Sequence, residues 1–124
     1  MIDFQNGSYV KLRKVGNGEI GKNLEALLLA DESIIGVYKG IRDYVVFTDK
    51  RVIAANVQGL TGKKQDFTSL PYKKISVFSI ETSGVFDLDS ELELYFSGVG
   101  KVSFEFTGAS DIVQIGKIIS QYAL

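Results

Sequence analysis

Short β-strand patterns follow one another from Ile41 to Thr107 with only turns between them. The series opens with IRDYVVFTDKRVIAANV and closes with ELELYFSGVGKVSFEFT. Parallel strands need a crossover of about a dozen residues or more, usually a helix, between one strand and the next. Because this series leaves no room for such a crossover, its strands must pair as antiparallel hairpins. The pattern therefore excludes the parallel α/β folds on which many enzymes are built.

The composition excludes several kinds of active site. The 124 residues include no histidine and no cysteine. The chain therefore lacks the usual general base, the commonest metal ligand and any thiol nucleophile. Its formal net charge of -1 gives no overall attraction to nucleic acid or to anionic lipid. We expect a protein that is not an enzyme, that needs no cofactor, and that has neither a nucleic-acid nor a membrane partner.

Length and patterning predict one domain over residues 1–124, in which residues 1–18 form a weakly patterned N-terminal arm or edge strand. The start of the sequence lacks the apolar run of a signal peptide. No other apolar stretch is long enough to span a bilayer. These features predict a cytoplasmic protein.

Two segments show the periodicity of a helix. Leucines at 24, 27 and 28 share one face of a predicted N-terminal helix over Glu19 to Ala30. A second apolar stripe predicts a C-terminal helix and comprises Ile112, Ile115, Ile119 and Tyr122. Gly116 lies beside that stripe, and a glycine costs about 1 kcal/mol inside a helix. We expect this glycine to let the helix approach the sheet closely.

The first and last hairpins differ in how many faces they must bury. Residues 43–48 and 51–57 carry YVVF and VIAANV, which are apolar on both faces. Such strands need cover on both sides. A barrel interior can cover one face, while a helix or a neighbouring subunit must cover the other. The last hairpin, ELELYF and KVSFEF, alternates between apolar and polar residues and can face water.

One strand breaks its own alternation. Between Ile75 and Thr82 the pattern slips from one face to the other between Val77 and Phe78. A β-bulge at that point would restore the register, and bulges help a sheet to curl into a barrel. The pattern as a whole predicts a mainly β barrel of about seven antiparallel strands that is capped by the C-terminal helix.

Several blocks of the sequence resemble the bacterial pleckstrin-homology-like family. The resemblance runs from about Leu24 to the C-terminus and lies in RDYVVFTDKRVI, QGLTGKK, SLPYKKIS, SIETSGVFDLDSELEL and SDIVQIGKIISQY. It implies a curled antiparallel sheet that is closed at one end by the C-terminal helix. It also implies homo-oligomeric rings with cyclic symmetry, five-fold for single-domain members, and a polar surface at subunit junctions that binds protein partners.

Six residues are candidates for protein interaction. Within the family-like blocks, the polar surface is expected to contain Arg42, Asp43, Arg51, Glu81 and Asp87. Arg51 is expected to pair with Asp43 or Glu81 and so to shape that surface. Tyr72 follows Pro71 in a predicted turn, which makes it the best candidate for an exposed aromatic contact.

Three other interpretations of the sequence lead to different ligands. The segment from Gly16 to Gly21 fits the dinucleotide pattern G-x-G-x-x-G, although no βαβ unit surrounds it. Alternating carboxylates at Asp87, Asp89 and Glu91 could hold a hard cation, but a solvated loop, or a charged rim that pairs with lysines of a neighbour, is the better interpretation. The loop from Lys39 to Arg42 could contact an anionic membrane surface or a phosphoinositide-type headgroup, although two bases are few for a multivalent phosphate.

Overall fold

The computed structural model describes residues 1–84, 89–108 and 111–124. The strands of this part of the chain are β1 (Gly7–Val15), β2 (Ile34–Lys39), β3 (Tyr44–Thr48), β4 (Arg51–Gln58), β5 (Lys64–Pro71), β6 (Ile75–Glu81), β7 (Ser90–Phe96) and β8 (Gly100–Phe106). Two helices, α1 (Lys22–Glu25) and α2 (Ile112–Ala123), and a 3₁₀ turn (Tyr72–Lys74) complete the secondary structure of these residues.

The strands form one curled sheet in the order β5-β4-β3-β2-β1-β8-β7-β6. The hairpins β2-β3, β3-β4, β4-β5, β6-β7 and β7-β8 are all antiparallel, as the lack of crossovers predicts. The predicted barrel with its C-terminal helix is confirmed. An eighth strand, β1, comes from the segment predicted as an arm or edge strand, and it lies in the interior of the sheet.

The β1 strand joins the two halves of the sheet by changing partners along its length. Its first half pairs in parallel with β8, where Tyr9 lies opposite Phe104. Its second half pairs antiparallel with β2, where Arg13 lies opposite Lys39. The register shifts between Tyr9 and Leu12, and Lys11 within the shift adopts a φ of 54°. This bulge turns the strand from one half of the barrel into the other.

The inner face of the sheet carries the main core. The predicted alternation of the last hairpin is confirmed, since the inward side chains Leu92, Leu94, Phe96, Val102, Phe104 and Phe106 are all buried. Helix α2 closes the barrel over this core with Ile112, Ile115, Ile118 and Ile119. A methyl group at Gly116 would overlap Cδ1 of Ile80, which confirms that this glycine permits a close approach to β6.

The outer face of the β3-β4 hairpin is covered by the chain's own residues. A second apolar cluster lies there and contains Leu24, Val37, Tyr44, Val46, Ile53 and Ala55. Ile20 and Leu28, from the segment between β1 and β2, pack against it. The prediction that both faces of this hairpin need cover is therefore confirmed, and no neighbouring subunit is required to supply it.

The segment that covers this face is less helical than predicted. Helix α1 has four residues instead of the twelve between Glu19 and Ala30, and Gly21 stands at its N-cap. Beyond it the backbone tightens, since the Leu27 N–H bonds to the Leu24 carbonyl. Leu24 is fully buried while Leu27 is 48% exposed. A straight helix would not follow the curved outer face, so packing overrides the helical periodicity.

The predicted bulge in β6 lies one residue earlier than expected. Ile75 pairs with Phe96 and Val77 with Tyr95, so the extra residue is Ser76. Its hydroxyl donates to the carbonyl of Tyr95 at 2.9 Å. In the sequence, the change of face becomes visible only between Val77 and Phe78, after the extra residue Ser76. The predicted position of the bulge was therefore one residue too late.

Lys11→Val should destabilise the fold, because a β-branched residue is strained at positive φ. We expect the free energy of unfolding to fall by about 1–2 kcal/mol in urea denaturation. Lys11→Gly should leave stability unchanged or raise it, since glycine tolerates this conformation. Arg13→Val, at an exposed position of the same strand, is the control and should change little. Equal effects of the Lys11→Val and Arg13→Val substitutions would show that the bulge carries no strain.

Candidate functional site

The structure places the predicted interaction residues in separate regions of the molecule. Arg42 and Asp43 lie together in the loop between β2 and β3. Arg51 lies at the opposite end of the β3-β4 hairpin, and Glu81 ends β6 at the far edge of the sheet. Asp87 lies outside the described residues. Within one chain, therefore, the four that the structure describes do not form one continuous polar surface.

Tyr72 is buried, so the prediction of an exposed aromatic contact was wrong. Its side chain has no exposed surface, and its hydroxyl donates to the carbonyl of Thr48 at 2.7 Å. Its ring stacks on Tyr122 of α2, with 5.9 Å between the centroids. Burial raises the pKa of this hydroxyl well above its usual range. Pro71 precedes a 3₁₀ turn that lies beneath α2, and not a surface loop. Sequence patterning alone does not reveal that α2 covers this turn.

Arg51 pairs with Glu32, and neither Asp43 nor Glu81 is its partner. Its Nε and Nη2 donate to the two carboxylate oxygens of Glu32, both at 2.9 Å. Nη1 donates to the Ser69 hydroxyl and Nη2 to the Leu27 carbonyl, each at 3.0 Å. These hydrogen bonds, the fork of Arg51, hold the segment between β1 and β2 against the end of the β3-β4 hairpin. The role of Arg51 in the structure is to hold the fold together.

The Glu32 carboxylate is held in its charged form. Its side chain is fully buried, and burial alone would raise its pKa. Hydrogen bonds from Arg51, from the Thr48 hydroxyl and from the Leu29 N–H outweigh burial and lower the pKa to about 2. Such multiple donors to one carboxylate are what favour ionisation inside a protein.

Acid should destabilise the protein through this carboxylate. The folded-state pKa of Glu32 lies below the usual value, so its contribution is complete above about pH 4.5 and is lost as the pH falls toward 2. Urea unfolding across this interval should show the decline. Glu32→Gln should lower stability at neutral pH by on the order of 3 kcal/mol, because it leaves Arg51 unpaired.

The exposed Glu19→Gln variant is the control for this prediction. Glu19 lies 3.9 Å from Lys39 at the surface, where ion pairs contribute little. Its substitution should leave both the stability and its pH dependence unchanged. A Glu32→Gln variant with the same acid sensitivity as the wild type would rule out Glu32 as the source.

The loops at the other end of the hairpin are tied together and project two aliphatic side chains. Arg42 Nη2 donates to the Gly59 carbonyl at 2.5 Å, and Asp43 accepts from the Val57 N–H at 3.1 Å. Ile41 is 94% exposed and Leu60 is fully exposed. Basic residues accompany them in the same loops and at the adjoining strand ends: Lys39, Lys63 and Lys64.

The two edges of the sheet lack a second strand partner in the residues that the structure describes. There, β5 pairs only with β4 and β6 only with β7. An apolar groove of about 740 Å³ runs beside the start of β6 and the β7-β8 turn, between Phe4, Val77, Phe96 and Val99. Val77 and Val99 are more than half exposed. The β6 edge thus combines free backbone with apolar surface.

Three glutamates stand in register near the end of that same edge. Glu81 pairs with Glu91, and Glu91 pairs with Glu105 on the next strand. Burial first, and then the neighbouring carboxylates, raise the pKa of Glu91. Like charges directly opposite each other weaken a sheet. Over the described ranges, no group of three or more acidic residues has the arrangement of a metal site.

The glycine-rich segment does not form a dinucleotide site. Gly16 to Gly21 connects β1 to the antiparallel β2, so no parallel βαβ unit surrounds it. The Glu19 N–H bonds to the Gly16 carbonyl in a local turn, and the helix that follows has only four residues. The segment that matches the motif is part of the connection between β1 and β2.

Two features of the structure were missed by sequence reasoning. Glu32 was not recognised as the partner of Arg51, because no pattern links a carboxylate in a loop to an arginine across the fold. Ile41 and Leu60 were not singled out as exposed side chains. A lone aliphatic residue between turn residues in each of two loops was the available signal, since turns are usually polar.

The curled sheet with a C-terminal helix over one end defines the pleckstrin-homology-like fold. Residues 3–123 match the family model for the bacterial PH domain. The Bacillus subtilis protein YjqA, itself uncharacterized, is 41% identical over 96% of this chain and 97% of its own length. The chain therefore belongs to the bacterial PH domain family.

Two solved structures support this assignment. A DUF1696 family protein with a pleckstrin-homology domain from Shewanella loihica is 38% identical, with a TM-score of 0.78 over 93% of this chain and 99% of that chain. A pleckstrin homology domain from Shewanella amazonensis is 40% identical, with a TM-score of 0.62 over 88% of this chain and 94% of that chain. None of the helices in the described ranges is long and apolar enough to cross a membrane.

Proposed function

We propose that this protein is a non-enzymatic interaction module that assembles with copies of itself into a cyclic ring. The observation that carries the proposal is the open sheet, whose β5 and β6 edges pair with only one strand each in the described residues. Free strand edges are templates for pairing with another chain. Membership in a family of binding domains agrees with this role, and the cytoplasm is its proposed location.

The two free edges differ, which favours a ring over a two-fold dimer. Pairing β6 of one copy with β5 of the next is a heterologous contact, because each copy uses two different surfaces. Such contacts close into rings when the rotation between copies allows it. The apolar groove beside Val77 and Val99 adds buried surface to the backbone pairing. The proposed ring is five-fold, as the family resemblance implies.

The proposed junction would also collect the polar residues that one chain keeps apart. In antiparallel pairing, the end of β6 with Glu81 would lie opposite the start of β5 with Lys64 in the next copy. Arg42 and Asp43 of that next copy are close by, because Arg42 bonds to the Gly59 carbonyl in the loop before β5. We propose that protein partners bind this mixed acidic and basic junction.

Val77→Lys should dissociate the assembly into monomers. A charge on the outer side of an edge strand disfavours pairing with another strand, and this one would also enter the apolar groove. Mass photometry or sedimentation velocity at micromolar concentration measures the change. Val113→Lys, at an equally exposed valine on α2, is the matched control and should leave the assembly intact. A wild-type protein that is monomeric under these conditions would refute the ring.

A charge exchange would determine how the strands meet. Glu81→Lys and Lys64→Glu should each weaken the assembly, and the double variant should restore it if the edges pair antiparallel. If Val77→Lys dissociates the wild-type assembly but the double variant fails to restore assembly, the two edges pair in the parallel arrangement instead.

A membrane surface is the second candidate partner, and the exposed loop tips favour it. Ile41 and Leu60 expose aliphatic side chains beside Lys39, Arg42, Lys63 and Lys64. Apolar side chains that enter the interface and cations that meet anionic lipid together stabilise peripheral binding. The net charge of -1 opposes binding of the whole protein to anionic lipid. The attraction would therefore have to come from the basic residues of these loops alone.

The double variant Ile41→Asp, Leu60→Asp should abolish sedimentation with vesicles of phosphatidylglycerol, if this second function holds. Wild-type binding should weaken with added salt and be absent with phosphatidylcholine alone, because the attraction is partly electrostatic. Val113→Asp controls for a general effect of added charge. No wild-type binding to anionic vesicles would exclude this function and leave the ring proposal untouched.

A further inference from the structure

A cavity of about 500 Å³ opens on the outer face of the sheet beside the β2-β3 loop. Its walls come from the residues just before α1, from the loop itself, and from the adjoining ends of β3, β4 and β5. This cavity lies apart from the groove beside β6, and its lining residues Arg42, Asp43 and Gln65 adjoin the β5 side of the proposed junction. Small-molecule sites in proteins have this size and combine apolar walls with a few polar groups.

Two buried polar atoms in the cavity lining lack hydrogen-bond partners among the residues that the structure describes. They are the hydroxyl oxygen of Tyr44 and Oε1 of Gln65. Tyr44 is only 7% exposed. The backbone N–H of Gly21 approaches its oxygen and partly offsets the rise in the Tyr44 pKa that burial causes. The hydroxyl proton therefore still needs an acceptor.

The Gln65 amide is oriented by its other end. Its Nε2 lies 3.5 Å from the Gly62 carbonyl, which favours the amide orientation that leaves Oε1 without a partner. A buried polar group without a hydrogen bond costs about 1–3 kcal/mol. Native proteins contain few such groups, and two that line one cavity call for an occupant. One is a donor and the other an acceptor.

The charges around the cavity cancel, which excludes a highly charged ligand. Lys39 lies 3.9 Å from Glu19 across the rim. Arg42 donates to the Gly59 carbonyl and Asp43 accepts from the Val57 N–H. Two cations and two anions thus line the opening, so a polyanion gains no net attraction there. A neutral or zwitterionic ligand matches this charge pattern.

We propose that this cavity binds a carboxamide group. The carbonyl oxygen of the amide would accept from the Tyr44 hydroxyl, and its N–H would donate to Gln65 Oε1. The aliphatic part of the ligand would contact Ile20 and Val57 in the cavity wall. The amide could belong to a small molecule or to a glutamine side chain of a partner protein, since both present the same chemistry.

Titration of ¹⁵N-labelled protein tests the proposal with three probes. L-Glutamine represents a free small molecule, acetyl-glutamine-N-methylamide represents a side chain on a peptide, and L-glutamate is the matched control without the amide donor. We expect either glutamine probe to shift the resonances of Gly21, Gly40 and the Gln65 side chain, with at least about tenfold weaker binding of glutamate. Preference for the free or the capped form identifies the source of the amide.

Two tyrosine variants separate ligand binding from structure. Tyr44→Phe should weaken glutamine binding at least about tenfold and leave the stability of the free protein nearly unchanged, because the hydroxyl proton has no acceptor among the described residues. Tyr72→Phe loses the hydrogen bond to Thr48, so it should lower stability and leave binding unchanged.

The opposite results would overturn the proposal. If no amide probe shifts these resonances, or if Tyr44→Phe binds glutamine as well as the wild type does, the cavity is not a carboxamide site. If Tyr44→Phe loses stability as Tyr72→Phe does, the hydroxyl has a structural partner such as an ordered water.

Discussion

Burial of both faces of the β3-β4 hairpin is the constraint on which the rest of the structure depends. Its inner face packs into the barrel core, and its outer face is covered by the segment between β1 and β2. That segment has little helix of its own, so it cannot hold its position by backbone hydrogen bonds alone. The fork between Arg51 and Glu32 supplies the missing attachment at one end. A buried ion pair thus fixes an apolar cover in place.

The same arrangement changes the argument for assembly. Apolar residues on both faces of the hairpin suggested that a helix or a neighbouring subunit was needed, and the segment between β1 and β2 supplies that cover. What points to assembly instead is the pair of unlike free edges, at β5 and β6. The comparison with Shewanella and Bacillus relatives establishes the family and the fold. The proposed partners and the proposed ring rest on the geometry of those edges.

Sequence patterning predicted the features that depend on near neighbours. The β7-β8 hairpin was predicted side chain by side chain, because one wet face imposes strict alternation. The close approach at Gly116 was predicted because glycine destabilises the interior of a helix, and close packing against a sheet can offset that cost. Tyr72 was misassigned because its burial depends on α2, far away in the sequence. The pairing of Glu32 with Arg51 and the meeting of Tyr44 and Gln65 in one cavity depend likewise on how distant segments pack.

The position of β1 between β2 and β8 has a consequence for how the chain is made. A strand near the start of the sequence pairs with the last strand. The sheet is therefore continuous only after the segment with Tyr9 has paired with the segment that contains Phe104. Closing so long a loop is entropically costly and slow compared with forming hairpins. During synthesis the antiparallel pairs from β1 to β5 can form first, while the first half of β1 stays unpaired until β8 has been made. Pairing of β8 with the first half of β1 is what joins the two halves of the sheet.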